Sequence, residues 1–251
     1  MEANNIGWNW WTHKKLGTIT SPLSSSANEN YNKVVEYWKG NGPRPTAQEA
    51  SDGLFQMAAD LALDKTTLRP GVVAALFSPN FDAQNVPFKE HNIPGTIAAS
   101  DYDIGNNGIS YYDLEYKRVS GNDNQNTGNS GWEYRNDGVD IQSSEDPEVD
   151  YNIGWIDSGE WLEYTVEVAE SANYEVRARV ASNNTNGRMT LAINNTNIAP
   201  TVSIPNTGGY QNWGQVLIAE ATYIEAGTHV LRVKFGAGGF NLTVIDFNKA
   251  D

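Results

Sequence analysis

Cysteine is absent from the 251 residues of this chain. That excludes disulfides, thiolate metal sites and thiol nucleophiles together, and it leaves the redox compartment open. Charge is scarce at 19% of residues and one-sided, with 17 Lys and Arg against 31 Asp and Glu and a net charge of −14. So negative a chain repels phosphate backbones and anionic headgroups, which removes nucleic acid and membrane surfaces as expected partners. A neutral polysaccharide meets no such penalty. No run approaches the roughly 18 apolar residues of a membrane span. The residues after Met1, EANNIGWNWW, lack the basic start and apolar run of an export signal. What is plentiful is Gly (23), Tyr (12) and Trp (8), with many Asn, Ser and Thr, a composition that suits an extracellular, loop-rich β protein.

The pattern changes near residue 78. Before it, Thr46-Ala-Gln-Glu49 forms a capping box, and Leu54, Phe55, Met57, Ala58, Leu61 and Ala62 recur at helical spacing up to Asp64. A shorter helix is predicted over 28–39, ended by Gly40-Asn-Gly-Pro-Arg-Pro45. Residues 79–92 hold prolines and little periodicity and read as a linker. Short alternating runs follow at 97–102, 109–112, 139–141, 151–156, 160–168, 174–181, 188–193, 201–204, 215–221, 228–235 and 241–247, separated by Gly, Asn, Asp and Ser turns. The fold class expected is mainly β, a jelly-roll β-sandwich over 93–251, with a small and mostly helical segment over 1–78. The Asn/Gly-rich piece 121–131 reads as a long loop.

The stretch 151–168, YNIGWIDSGEWLEYTVEV, carries the most chemistry. Trp155 sits between Gly154 and Ile156, just before the Asp157-Ser158-Gly159 turn, where a core does not require an indole. A flat apolar ring beside a turn can stack on the C–H face of a sugar while nearby amides take its hydroxyls. Glu160, Glu163 and Glu167 read as a solvated strand face. His13, His91 and His229 are too scattered to suggest a zinc site or a triad.

The motifs IPGTIAASDYD, GISYYD, YRNDGVDI, YNIGWIDSGEWLEYTVEVAE, YEVRARVAS, IPNTGGYQNWGQV, AGTHVLRVKF and GGFNLTVIDF occur in order through 93–248. In this they resemble a family 6 carbohydrate-binding module. The resemblance implies a sugar held at the loop end of the sandwich between two aromatic rings with an Asn beneath. By position these are Trp155, Tyr210 and Asn241, with Gln211 or Asn212 adding hydrogen bonds. Relatives commonly carry Trp where this chain has Tyr210. Trp213, three residues on, is taken as a wall or core residue. A second cleft, on a face of the sandwich, would use Trp161, although a Trp in mid-strand reads first as core. The resemblance also implies one structural Ca²⁺. Its two opening carboxylates are replaced here by Ala98 and Ser100, leaving Asp246.

The segment GWNWWTHKK, then YWKGNGPRPTAQEA and a helix, resembles the C-terminal end of a family 5 glycoside hydrolase barrel. That likeness implies a sugar-stacking Trp11 with Lys14. The strands that would carry the two catalytic glutamates are missing, and retaining glycoside hydrolysis needs two carboxylates about 5 Å apart on a rigid scaffold. The chain is therefore expected to be no enzyme, with catalytic residues none. It should be a monomer that binds poly- or oligosaccharide of β-glucan or xylan type, as the targeting module of a secreted, wall-degrading hydrolase. Two alternatives stand beside this: a hydrolase fragment catalytic only in a full-length protein, and a lectin-like adhesion domain.

Overall fold

The computed structural model describes residues 7, 9–79, 81, 83–114, 133–135 and 137–250; the expected loop 121–131 lies outside them. The chain divides into two compact units, Met1–Val73 and Ala74–Asp251. Among the described residues no helix is long and apolar enough to cross a membrane.

In the first unit, helix α1 (Glu29–Trp38) begins where the Asn28 side chain accepts from the Tyr31 amide at 2.8 Å, an N-cap. Helix α2 (Ala47–Asp60) starts at the capping box. The Glu49 amide donates to Thr46 Oγ1 at 3.1 Å, and the Thr46 amide donates to Glu49 Oε2 at 2.9 Å. The helix stops at Asp60, short of the expected Asp64, and a 3-10 turn takes Leu63–Lys65. Val34 and Met57 are the buried apolar side chains of this pair. Gly53 permits close approach of the two helices, since a Cβ there would stand 2.6 Å from the Asn30 carbonyl carbon. Strands β1 (Lys14–Leu16), β2 (Leu23–Ser25) and β3 (Thr67–Leu68) form one open three-stranded sheet. A third helix, α3 (Pro70–Phe77), opens on proline, whose missing N–H costs nothing at a first helical position.

The second unit is the mainly β sandwich that the alternating runs predicted. One sheet runs β14 (Trp213–Ile224), β10 (Ala172–Ala181), β16 (Asn241–Lys249), β8 (Tyr151–Ile153), β7 (Ile141–Ser143), with β5 (Gly95–Ala98) also on β16. The other runs β12 (Thr196–Asn197), β11 (Arg188–Ile193), β15 (Gly227–Ala237), β9 (Trp161–Val168), β4 (Asn92–Ile93). In that sheet β13 (Val202–Ser203) pairs with β11, and β6 (Tyr111–Tyr112) pairs with β9. Side chains alternate across a strand, so one parity of each strand faces the core. From β9 these are Leu162, Tyr164, Val166 and Val168, from β15 Leu231, Val233 and Phe235, and from β16 Ile245 and Phe247; Leu242, of the other parity, joins them across a bulge between Leu242 and Val244.

The stretch expected as a linker is hydrogen-bonded into this unit from Asn85 onward. Asn85 reaches Ser110, Val86 pairs with Ile104, and the buried His91 places Nε2 3.0 Å from the Asp101 carbonyl. The pairing partners lie tens of residues away, so low periodicity could not reveal them. Buried Arg135 locks a neighbouring loop. Its guanidinium lies 3.7 Å over the Tyr102 ring, donates to the Tyr102 and Asp103 carbonyls, and pairs with Asp137 at 2.8 Å. Burial is the largest influence and works against its charge, but Asp137, Tyr102 and Tyr134 together favour the charged form, so its affinity for the proton is raised.

Candidate functional site

Strand register brings one set of strand ends together. Ala181 pairs with both Trp213 and Asn241, and Leu242 pairs with Ile153. The loops beyond these residues therefore emerge at one end of the sandwich. They carry Trp155, Asn184 and Tyr210, and Asn241 opens β16 between them.

Asn241 is buried, bonded to one of these loops and packed close to a second. Its Nδ2 donates to the Tyr210 carbonyl at 2.7 Å, and a Cβ on Gly154 would stand 3.0 Å from its Oδ1. Trp155 and Tyr210 remain about half exposed, at 52% and 47%. Two large rings left open beside a buried amide match the aromatic and amide set that recognises sugars. Trp155 also adopts φ +47°, a left-handed conformation that bulky L-residues rarely take. The turn after it is pinned to β15. The Gly159 amide donates to the Phe235 carbonyl at 2.8 Å, and Ser158 Oγ donates to the Gly236 carbonyl at 2.8 Å. Gly238 lies against the next peptide so closely that a Cβ would be 1.6 Å from the Ile156 oxygen. The strained placement of the ring is thus held by its surroundings.

Asn184 joins this end without having been singled out from the sequence. Its Nδ2 contacts Tyr210 Oη at 3.3 Å and the Gly239 carbonyl at 3.0 Å. Only its place in the SNNTNG turn hinted at it. Gln211 is engaged at both ends of its amide, accepting from Glu145 N at 2.9 Å and donating to Asn152 Oδ1 at 3.1 Å, so it braces the loop. Asn212 is exposed. Trp213 is half-buried at the start of β14, with an indole N–H that is buried and has no hydrogen-bond partner among the described residues.

Trp161 departs from the core reading. It has the opposite parity to Leu162, Tyr164 and Val166, lies half-buried on the outer face of β9, and carries the Arg232 guanidinium 4.1 Å over its ring. The expected solvated face of carboxylates also needs correction. Glu160 and Glu163 are buried, and only Glu167 is exposed. Glu160 accepts from the Leu114 and Asp157 amides at 3.1 and 2.8 Å, while Glu163 is paired with Arg232 and accepts from Asn85. These long-range partners compensate burial and are invisible to local periodicity. The histidines stand apart: His91 is buried, His229 lies against Asn194 and the Glu225 carbonyl, and His13 is exposed in the first unit. Trp11 is 84% exposed, and Lys14 donates to the Leu61 carbonyl.

The calcium implied by the resemblance can be tested on its donors. Asp246 accepts from Thr96 Oγ1 at 2.6 Å. Ala98 lies opposite Val244, and Ser100 sits in a 3-10 turn; neither offers a carboxylate. Among the described residues no three His, Asp or Glu side chains group as metal ligands. Ca²⁺ takes six to eight oxygens with several carboxylates among them, and the residues around Asp246 do not fit it.

The family model of the carbohydrate binding module (family 6) matches residues 132–249. The family 6 module of Cellvibrio mixtus lichenase 5A, solved with cellotriose, is 34% identical over 45% of this chain and 88% of its own, with a TM-score of 0.41. The C-terminal family 6 module of the marine laminarinase LamC from Zobellia galactanivorans is 32% identical over 44% and 88%, also at 0.41. The chain belongs to family 6 of the carbohydrate-binding modules. As a family 6 module it is a non-catalytic binder of carbohydrate. A β-1,3-glucan-binding family 6 module from Bacillus halodurans is 24% identical over 64% of this chain and 99% of its own, with a TM-score of 0.45. No curated protein matches the chain.

Proposed function

We propose that the module grips a β-linked glucan or xylan between Trp155 and Tyr210, with Asn241 beneath, and serves as the targeting module of a secreted wall-degrading glycoside hydrolase. The observation that carries this reading is the position of Asn241, whose amide donates to the Tyr210 carbonyl and lies close to Gly154, next to Trp155. The 34% identity to a module solved with cellotriose supports a glucan among the ligands. Trp213 would serve as a wall, Asn212 supplies an exposed amide, and the half-buried Asn184 amide holds the Tyr210 hydroxyl. Residues 1–78 would be the end of a family 5 barrel preceding a monomeric module that takes in residues from Asn85 onward, without catalysis of its own. Trp161, facing outward on β9, favours a second site on the sheet face. The test is affinity electrophoresis on cellulose-, lichenan- and xylan-type polymers. Trp155→Ala and Tyr210→Ala should each abolish retardation while leaving the far-ultraviolet spectrum intact. Unchanged retardation in Trp155→Ala would refute the loop-end assignment.

A further inference from the structure

We propose that Asn184 is a positioning residue of the loop end: its amide donates to the Tyr210 hydroxyl and so turns the phenolic hydrogen outward, as a donor to a sugar oxygen. This rests on the reading of the loop end as the glycan site, and it adds a polar selection at the rim of the ligand to the grip on its faces. The sequence sets up the turn. Strand β10 ends at Ala181, and Ser182-Asn-Asn-Thr-Asn-Gly187 follows, residue types that bond their own backbone in turns. The buried Ser182 Oγ accepts from the Asn184 backbone amide at 3.2 Å, and Asn184 Oδ1 accepts from the Asn186 backbone amide at 2.8 Å.

These bonds decide which way the side-chain amide of Asn184 faces. A backbone N–H only donates, so the atom opposite Asn186 is the oxygen, and the nitrogen lies on the other side. There it meets the Gly239 carbonyl at 3.0 Å, which only accepts, and Tyr210 Oη at 3.3 Å. An amide nitrogen carries two hydrogens, and both are then spent. Tyr210 Oη accepts one of them, so its own hydrogen points elsewhere. Among the described residues Oη has no further partner, and Tyr210 is 47% exposed, which leaves that hydrogen to the open end of the sandwich. A pyranose stacked on the ring turns C–H bonds to its face and carries equatorial hydroxyls at the rim, where the phenolic hydrogen meets an acceptor. Gly239 keeps the arrangement close. It sits at φ +84°, and a Cβ there would stand 2.8 Å from Asn184 Nδ2. Its neighbour Gly238 lies against the Ile156 oxygen, so Asn184 stands between the Tyr210 hydroxyl and the glycines behind the Trp155 turn. An aspartate at 184 would reverse the order, since the phenol would donate to the carboxylate and present only lone pairs to a sugar.

The test measures Kd by affinity electrophoresis of the full chain in cellulose-, lichenan- and xylan-type gels, using the polymer that retards the parent most. Tyr210→Phe keeps the ring and removes the hydroxyl, and should weaken binding about fivefold, the worth of one hydrogen bond. Asn184→Asp should weaken it about as much. Introduced into the Tyr210→Phe protein, however, Asn184→Asp should change Kd less than twofold further, because the hydroxyl it orients is gone. A merely structural Asn184 would cost the same with and without that hydroxyl, and such additivity would overturn the proposal. A Tyr210→Phe change within twofold would overturn it too. Loss of retardation in Trp155→Ala beside an unaffected Tyr210→Phe would sink this proposal alone. Full retardation of Trp155→Ala, or no retardation of the parent in any of the three gels, would sink the loop-end reading and the proposal with it.

Discussion

Replacing Trp155 by glycine and by alanine separates the ring's contribution to binding from the strain in its backbone. The residue is 52% exposed, so a sugar lying on one ring face would cover about 100 Å² of apolar surface. At roughly 25 cal/mol per Å² that is about 2.5 kcal/mol, or some 70-fold in Kd, and both variants should lose it. Their stabilities should differ in an unusual direction. Glycine ordinarily destabilises by about 0.5–1 kcal/mol relative to alanine, because the unfolded chain gains freedom. At φ +47°, however, an L-residue carries a penalty of about 1–2 kcal/mol that glycine avoids. The balance favours Trp155→Gly by about 0.5–1 kcal/mol. For a unit spanning Ala74–Asp251 that is about 1–4 °C in melting temperature by differential scanning calorimetry. An alanine variant as stable as the glycine one would refute the strain argument. A glycine variant binding within a few-fold of the parent would refute ring stacking.

Gly238→Ala tests how the ring is supported from below. The added methyl would sit 1.6 Å from the Ile156 oxygen, so the backbone after Trp155 must move. Glycan retention should fall together with a stability loss of about 1–3 kcal/mol, seen by calorimetry and affinity electrophoresis; unchanged retention would mean that the peptide at Ile156 does not set the ring. In the first unit, hydrogen bonds from the Thr46 amide and hydroxyl, with Lys33, hold the Glu49 carboxyl down at about 2, below its ordinary 4.5. Because the folded value lies below the unfolded one, the stability it contributes is present above about pH 4.5 and is lost as pH falls toward 2. Ellipticity at 222 nm, which reports mainly helices within Glu29–Phe77, should fall across that window. The Glu49→Gln protein should lack this component, and identical acid profiles for the two would refute the assignment.

The sandwich was legible because its strands alternate, and the capping box at Thr46 marked the start of α2 correctly. The outward position of Trp161 was also available, since its parity opposes that of Tyr164, Val166 and Val168; the habit of treating a mid-strand Trp as core obscured it. The burial of Glu160 and Glu163 was not available. Apart from the neighbouring Asp157, it depends on Leu114, Asn85 and Arg232, which tertiary folding brings from distant parts of the chain. The same holds for residues 85–93, where Pro87 interrupts periodicity while the partners Ile104, Ser110 and Asp101 hold the stretch to the sandwich.

By itself the sequence determined the chemistry on offer: no thiol, few cations, many rings and amides, and a Trp beside a Gly turn at residue 155. Residue types and short-range periodicity carry that information, because side-chain chemistry and strand alternation are local. Tertiary structure alone decided that Asn241 bonds to the Tyr210 loop close beside Gly154, that Gly238 lies against the peptide after the ring, and that Arg232 covers Trp161. Each of these depends on register between strands distant in the chain, and register is set only when both sheets close on one core.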